Sequence, residues 1–106
     1  MWLEPLFIIG GTIIVMQITF DPAKNLRNIA ERGLSFELAG EFNFDTAVIW
    51  IDGRKVYPEV RISALGLVAG RVHSLVFSET TQGIRVISFR KANKREVKRY
   101  EQETQP

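Results

Sequence analysis

The two-residue alternation of apolar and polar positions is clearest in the second half of the chain. Ala47 to Asp52, AVIWID, is an apolar run closed by the turn residue Gly53, and it predicts a strand. Val60 to Leu67 sets Arg61, Ser63 and Leu65 against Val60, Ile62 and Ala64, the period of a second strand. Arg71 to Ser78 predicts a third. After the turn-like ETTQG, the β-branched and aromatic run Ile84 to Phe89 predicts a fourth, joined to the third by a hairpin of about five loop residues. In strict alternation Arg85 shares a face with Ile87 and Phe89, and Arg90 shares the opposite face with Ile84, Val86 and Ser88.

Helical signals flank these strands. Gln17 to Phe20 reads as a short strand. Asp21 then serves as an N-cap and Pro22 as the first helical residue; Leu26, Ile29 and Ala30 keep helical spacing, and Gly33 supplies the stop. Ser35 restarts a second helix through Phe36, Leu38, Ala39 and Phe42. Asn93 with Glu96 three residues on is a capping box that opens a C-terminal helix. The predicted order is a short strand, two helices, an antiparallel sheet of about four strands and a last helix. This is an α+β domain with its helices on one face of the sheet.

The opening residues Met1 to Val15 are apolar but broken by Gly10 and Gly11. They are marginal for a membrane span, and they lack the basic start and small-residue cleavage site of a signal peptide. We expect residues 1–15 to be an extension, or an upstream misassignment of the start, preceding one domain over 16–106, with no stable membrane association. The length of 106 residues allows one domain with a real core. No cysteine is present, which excludes disulfides and thiolate zinc sites and fits a cytoplasmic location. A lone histidine, His73, argues against an imidazole-based metal site, and no cofactor is expected.

Charge sharpens the picture only locally. The net charge is +2, yet Arg85, Arg90, Lys91, Lys94, Arg95, Lys98 and Arg99 supply half of the 14 lysines and arginines. Such an element is either a solvated helix face or a site for phosphate backbone.

Three blocks carry a resemblance: F-D-P-A-K-x-x-x-N-x-x-x-x-G-x-S-F from Phe20 to Phe36, E-x-R-x-x-A-L-G from Glu59 to Gly66, and I-R-V-I-S-x-R-K-A from Ile84 to Ala92. In order and spacing the chain resembles the BrnT family of ribonuclease toxins. The resemblance implies a fold similar to RelE-type toxins and RNA cleavage that blocks translation. It also implies a BrnA-like ribbon-helix-helix antitoxin, through which alone promoter DNA would be bound. The chain departs from the family pattern in three places. Glu31 and Arg32 replace a usual Lys-His, Thr80 replaces the arginine of T-E-R, and Phe89 replaces a small residue. The first departure removes a general acid or base and the second a phosphate-binding arginine.

Metal-free RNA cleavage needs a base for the ribose 2′-hydroxyl, cations for the phosphorane and an acid for the departing 5′-oxygen. Glu59, positioned by Arg61, is the candidate base. Arg85 and Arg90 are suited to gripping phosphate oxygens with guanidinium forks, and Lys24 to acting as a second cation or the acid. His73 is a further candidate because imidazole titrates near neutrality. Arg61, Arg71, Lys91, Lys94 and Arg95 complete the expected RNA-binding set. The same residues also have bland explanations: Glu59 and Arg61 as a surface ion pair, Lys24 as a solvated helix residue, His73 as a core histidine. The alternative to an enzyme is a non-catalytic module that binds RNA or an antitoxin.

Overall fold

The computed structural model describes residues 2–3, 6–9 and 12–105, with side chains over 16–105. The elements are β1 (Trp2–Leu3), β2 (Leu6–Ile9), β3 (Thr12–Val15), β4 (Gln17–Phe20), α1 (Pro22–Arg32), a 3-10 helix (Phe36–Glu41), β5 (Val48–Ile51), β6 (Ile62–Val68), β7 (Arg71–Thr80), β8 (Gly83–Lys91) and α2 (Lys94–Thr104). The main sheet runs β1-β4-β8-β7-β6-β5, and β2 with β3 forms a separate hairpin. The expectation that residues 1–15 are an extension falls on residues whose side chains, and at 1, 4, 5, 10 and 11 whose backbone as well, lie outside the described residues. Among the described residues no helix is long and apolar enough to cross a membrane.

The α+β class holds, with four corrections. The sheet has six strands among the described residues, where about four were expected, and it is mixed, because β4 runs parallel to β8 with Ile18 opposite Ile84 and Phe20 opposite Val86. Gly83 permits this pairing: a Cβ there would lie 2.0 Å from the Gln17 carbonyl oxygen. The expected second helix is a six-residue 3-10 helix capped by the Ser35 hydroxyl, longer than most 3-10 runs. The last hairpin closes through Thr81 and Gln82 alone, since the strands extend through the residues expected to be loop.

The fourth correction concerns the layers. On one face, Ile18, Phe20, Phe36, Phe42, Ala64, Leu75, Phe77, Val86 and Phe89 pack with the 3-10 helix into the main core. On the opposite face Leu65, Val72, Ala92 and Tyr100 meet Val48, Trp50, Leu67 and Val97 beneath α2. The helices therefore cover both faces. Gly66 belongs to the first layer, where a Cβ would lie 2.5 Å from the Phe42 ring, so the glycine of E-x-R-x-x-A-L-G is set by aromatic packing.

The helix α1 reverses its expected orientation. Leu26 and Ile29 are 68% and 41% exposed, while Asn25 and Asn28 are buried. The reason lies in β8, which extends past its partner β4. Asn28 Nδ2 donates to the Phe89 and Leu34 carbonyls, each at 2.9 Å, and Asn25 Oδ1 accepts from the Phe36 N–H at 2.8 Å. Two amide side chains thus do for the exposed strand edge and the helix exit what a further strand would have done.

Candidate functional site

The geometry of the site begins with one extra residue. Val76 of β7 stands opposite Ser88, and Phe77 opposite Val86, so Ile87 is an inserted residue that bulges β8. Strict alternation would separate Arg85 from Arg90. The bulge instead places them opposite Ser78 and Ser74, two residues of the same parity on β7. Both arginines consequently lie on the face that carries α2, in the part that α2 leaves open.

At one end of this open face Glu59 lies between two cations. Arg85 Nη2 forms a short ion pair with Glu59 Oε1, and Arg61 Nε is 3.8 Å from the same oxygen. The Arg61 guanidinium lies over the Tyr57 ring, 4.0 Å from its centroid, a stacked arrangement suited to arginine. Arg61 Nε is a buried donor without a hydrogen-bond partner among the described residues.

Two more arginines are held on this face: Arg90, two side-chain rows farther along the strands at about 14 Å, and Arg54, bound to Asp52, which stands opposite Arg61 in the row that ends at Arg85. Arg90 grips Glu96 of α2 with both nitrogens, at 2.7 and 3.0 Å. These hydrogen bonds lower the Glu96 pKa despite the opposing effect of its partial burial. Arg54 closes on Asp52 through Nε at 3.0 Å, Nη2 at 2.9 Å and its backbone N–H at 3.1 Å. The side-chain hydrogen bond from Arg54 is the leading reason that Asp52 titrates at about 2 instead of 3.8. Between the two pairs is a cavity of about 410 Å³ bounded by Trp50, Ser63, Ser74 and Val76. Toward α1 the bulged Ile87 and Ser88 meet Lys24, Arg27 and Arg32 around a second cavity of about 350 Å³.

Of the sequence candidates, Glu59, Arg61, Arg85 and Arg90 are brought to one face, and Lys24 lies at its α1 edge. His73 is not among them. It is buried on the opposite face against Phe89, with ring centroids 5.4 Å apart. Its Nδ1 is 2.8 Å from the Arg71 carbonyl, so that nitrogen carries the proton and donates. Arg71 opens β7 seven residues before Ser78, about 23 Å from the Glu59 cluster at strand rise. Lys91 pairs with His73 and shares its face. Lys94 and Arg95 are exposed on the first turn of α2. Sequence reasoning missed Arg27, Asp52, Arg54 and Tyr57. Arg27 was within reach, being three residues from Lys24 on one helix, whereas Tyr57 and Arg54 sit in a connection without periodicity.

The three blocks singled out in the sequence divide by role. Asp21, Asn28, Gly33 and Ser35 of the first act as caps and a clamp. The second and third supply Glu59, Arg61, Arg85 and Arg90 to the open face. Comparison with curated proteins and with solved structures finds no match. A family model described as the ribonuclease toxin, BrnT, of type II toxin-antitoxin systems matches residues 20–96, and the chain belongs to that family.

Proposed function

We propose that this chain is a metal-independent endoribonuclease that arrests translation in the cytoplasm, built on a RelE-like toxin domain over residues 16–106. The observation that carries this reading is the Glu59 carboxylate held between Arg85 and Arg61 on an open sheet face. Glu59 takes the proton from a ribose 2′-hydroxyl, whose oxygen attacks the adjacent phosphorus. Arg85 and Arg61 hold the non-bridging oxygens as charge builds on the phosphorane. The bond to the 5′-oxygen breaks, that oxygen takes a proton from solvent water, and the products carry a 2′,3′-cyclic phosphate and a 5′-hydroxyl. Lys24 and Arg27 take the neighbouring phosphate at the α1 edge, and Arg90 first exchanges Glu96 for phosphate. A type II toxin has a protein antitoxin as partner; we take it to be BrnA-like, covering this face and carrying the complex to promoter DNA.

A second reading, a non-catalytic RNA-binding module, is favoured by one contact. Arg32 stands where the family pattern has histidine, and its Nη1 donates to Asn28 Oδ1 at 2.7 Å, a structural use that offers no proton transfer.

The purified chain is incubated with RNA and the new termini are mapped. Cleavage with cyclic phosphate ends is expected, reduced about 10²- to 10³-fold by Arg85→Ala and about 10²- to 10⁴-fold by Glu59→Gln. RNA that is bound but left intact by the folded parent establishes the second reading instead.

A further inference from the structure

Among the described residues the β5 strand ends the sheet and pairs only with β6. The Asp52 N–H donates to the Arg61 carbonyl at 2.8 Å, and Asp52 stands opposite Arg61 in the register that sets Ile51 against Ile62. In an antiparallel ladder this fixes the alternation. Val48 and Trp50 exchange hydrogen bonds with β6, while Ile49 and Ile51 turn their N–H and C=O groups away from the sheet. The side chains of these two residues are 49% and 70% exposed, on the face opposite α2, with Val60 63% exposed beside them. Unpaired backbone and bare isoleucines at the same edge are a template for another strand.

We propose that the occupant is β5 of a second copy of this chain, antiparallel to the first about a two-fold axis through Trp50. In this register Ile49 of each copy stands opposite Ile51 of the other as a hydrogen-bonded pair. The outward backbone groups of both strands are used, and each exposed isoleucine meets an isoleucine across the ladder. Continued past the strand ends, the register brings exposed Lys55 of one copy toward exposed Asp45 of the other, at both ends of the interface. The neighbouring registers lose both features. An axis through Ile51 sets Ile49 against Gly53, and one through Ile49 sets Ile51 against Ala47 and Lys55 against Asn43. The charge pattern thus selects the same register as the isoleucines. The axis stands perpendicular to the sheet, so the open arginine-lined faces of the two copies lie on one side of a continuous sheet. Pairing of two four-residue edges is small beside a stable interface, which makes this a concentration-dependent dimer. None of this depends on whether the open face cuts RNA.

Sedimentation velocity of the full chain over rising concentration tests it. The mass is expected to climb from 12.1 kDa toward twice that value. Ile51→Lys holds the chain as a monomer with an unchanged circular dichroism spectrum and melting temperature. Lys55→Asp weakens the dimer, and adding Asp45→Lys restores it, a recovery that only the Trp50-centred register produces. A monomer at every concentration, or a dimer indifferent to Ile51→Lys, overturns the proposal. A monomer that co-purifies with the protein encoded beside it, and loses it on Ile51→Lys, also overturns it and gives the edge to a partner strand.

Discussion

Asp52 is buried yet needs no core partner, because Arg54, two residues on, folds back over it with two guanidinium hydrogen bonds and one from its own backbone. The arginine head is largely exposed, so water screens the pair and its weight is modest. Its pH signature is nevertheless definite. The folded carboxyl titrates at about 2 against an ordinary 3.8. A depressed carboxylate pKa stabilises the fold fully above the unfolded value and loses that contribution as pH falls through the folded one. Asp52→Asn should therefore lower the urea midpoint relative to the parent at neutral pH. The gap should persist to about pH 4 and close toward about pH 2, as urea titrations of both proteins across that range would register. A gap independent of pH would mean that the asparagine disturbs packing instead of removing a charge.

Among the elements, α1 is held by a few identifiable side-chain hydrogen bonds. Asn28 gives both amide hydrogens to carbonyls at 2.9 Å and receives the Arg32 guanidinium on its oxygen. Asn28→Ala leaves the buried Phe89 and Leu34 carbonyls without donors and should cost about 2 to 3 kcal/mol in denaturant unfolding. Leu26→Ala, at an exposed position of the same helix, should cost under about 0.5 kcal/mol. Equal losses would show that α1 is held by its apolar stripe after all. That inversion explains what was and was not legible in the sequence. The Asn93 and Glu96 box, the Asp21 and Pro22 start and the alternation of β6 and β7 are local patterns, and each could be read directly. The asparagine clamp depends on β8 outrunning β4, a fact about pairing between segments 65 residues apart, and no periodicity reports it. The same limit applied to the site. Glu59 and Arg61 are two apart and could be paired on sight, but the bulge at Ile87 leaves no mark on the strand's own composition. Without it Arg85 and Arg90 divide between the faces, and His73, now seen against Phe89, looks as eligible as either.

For the molecule as a whole, a net charge of +2 hides an open face on which the cations are already engaged. Arg54, Arg85 and Arg90 each hold a carboxylate of this chain, and Arg61 shares Glu59 with Arg85. RNA meeting this face exchanges one anion for another. A phosphate that captures Arg85 releases its own counterions, but the displaced Glu59 must draw a cation from solution in return. Four bare arginines on single-stranded RNA would give a slope of log affinity against log salt of about −2.8, from about −0.7 per phosphate. The exchange makes the slope for these four shallower than that. Glu59→Gln removes one displaced charge, so it should tighten RNA binding and steepen the slope by up to about 0.7, even as it slows cutting about 10²- to 10⁴-fold. Fluorescence anisotropy with an RNA carrying 2′-deoxy substitutions to prevent cleavage separates the two effects. A parent slope steeper than about −2.8 would show that Lys24, Arg27 or the exposed cations of α2 take part. Weaker binding by Glu59→Gln would show that the carboxylate's work is to hold Arg61 and Arg85 in place for the phosphate, and not to compete with it.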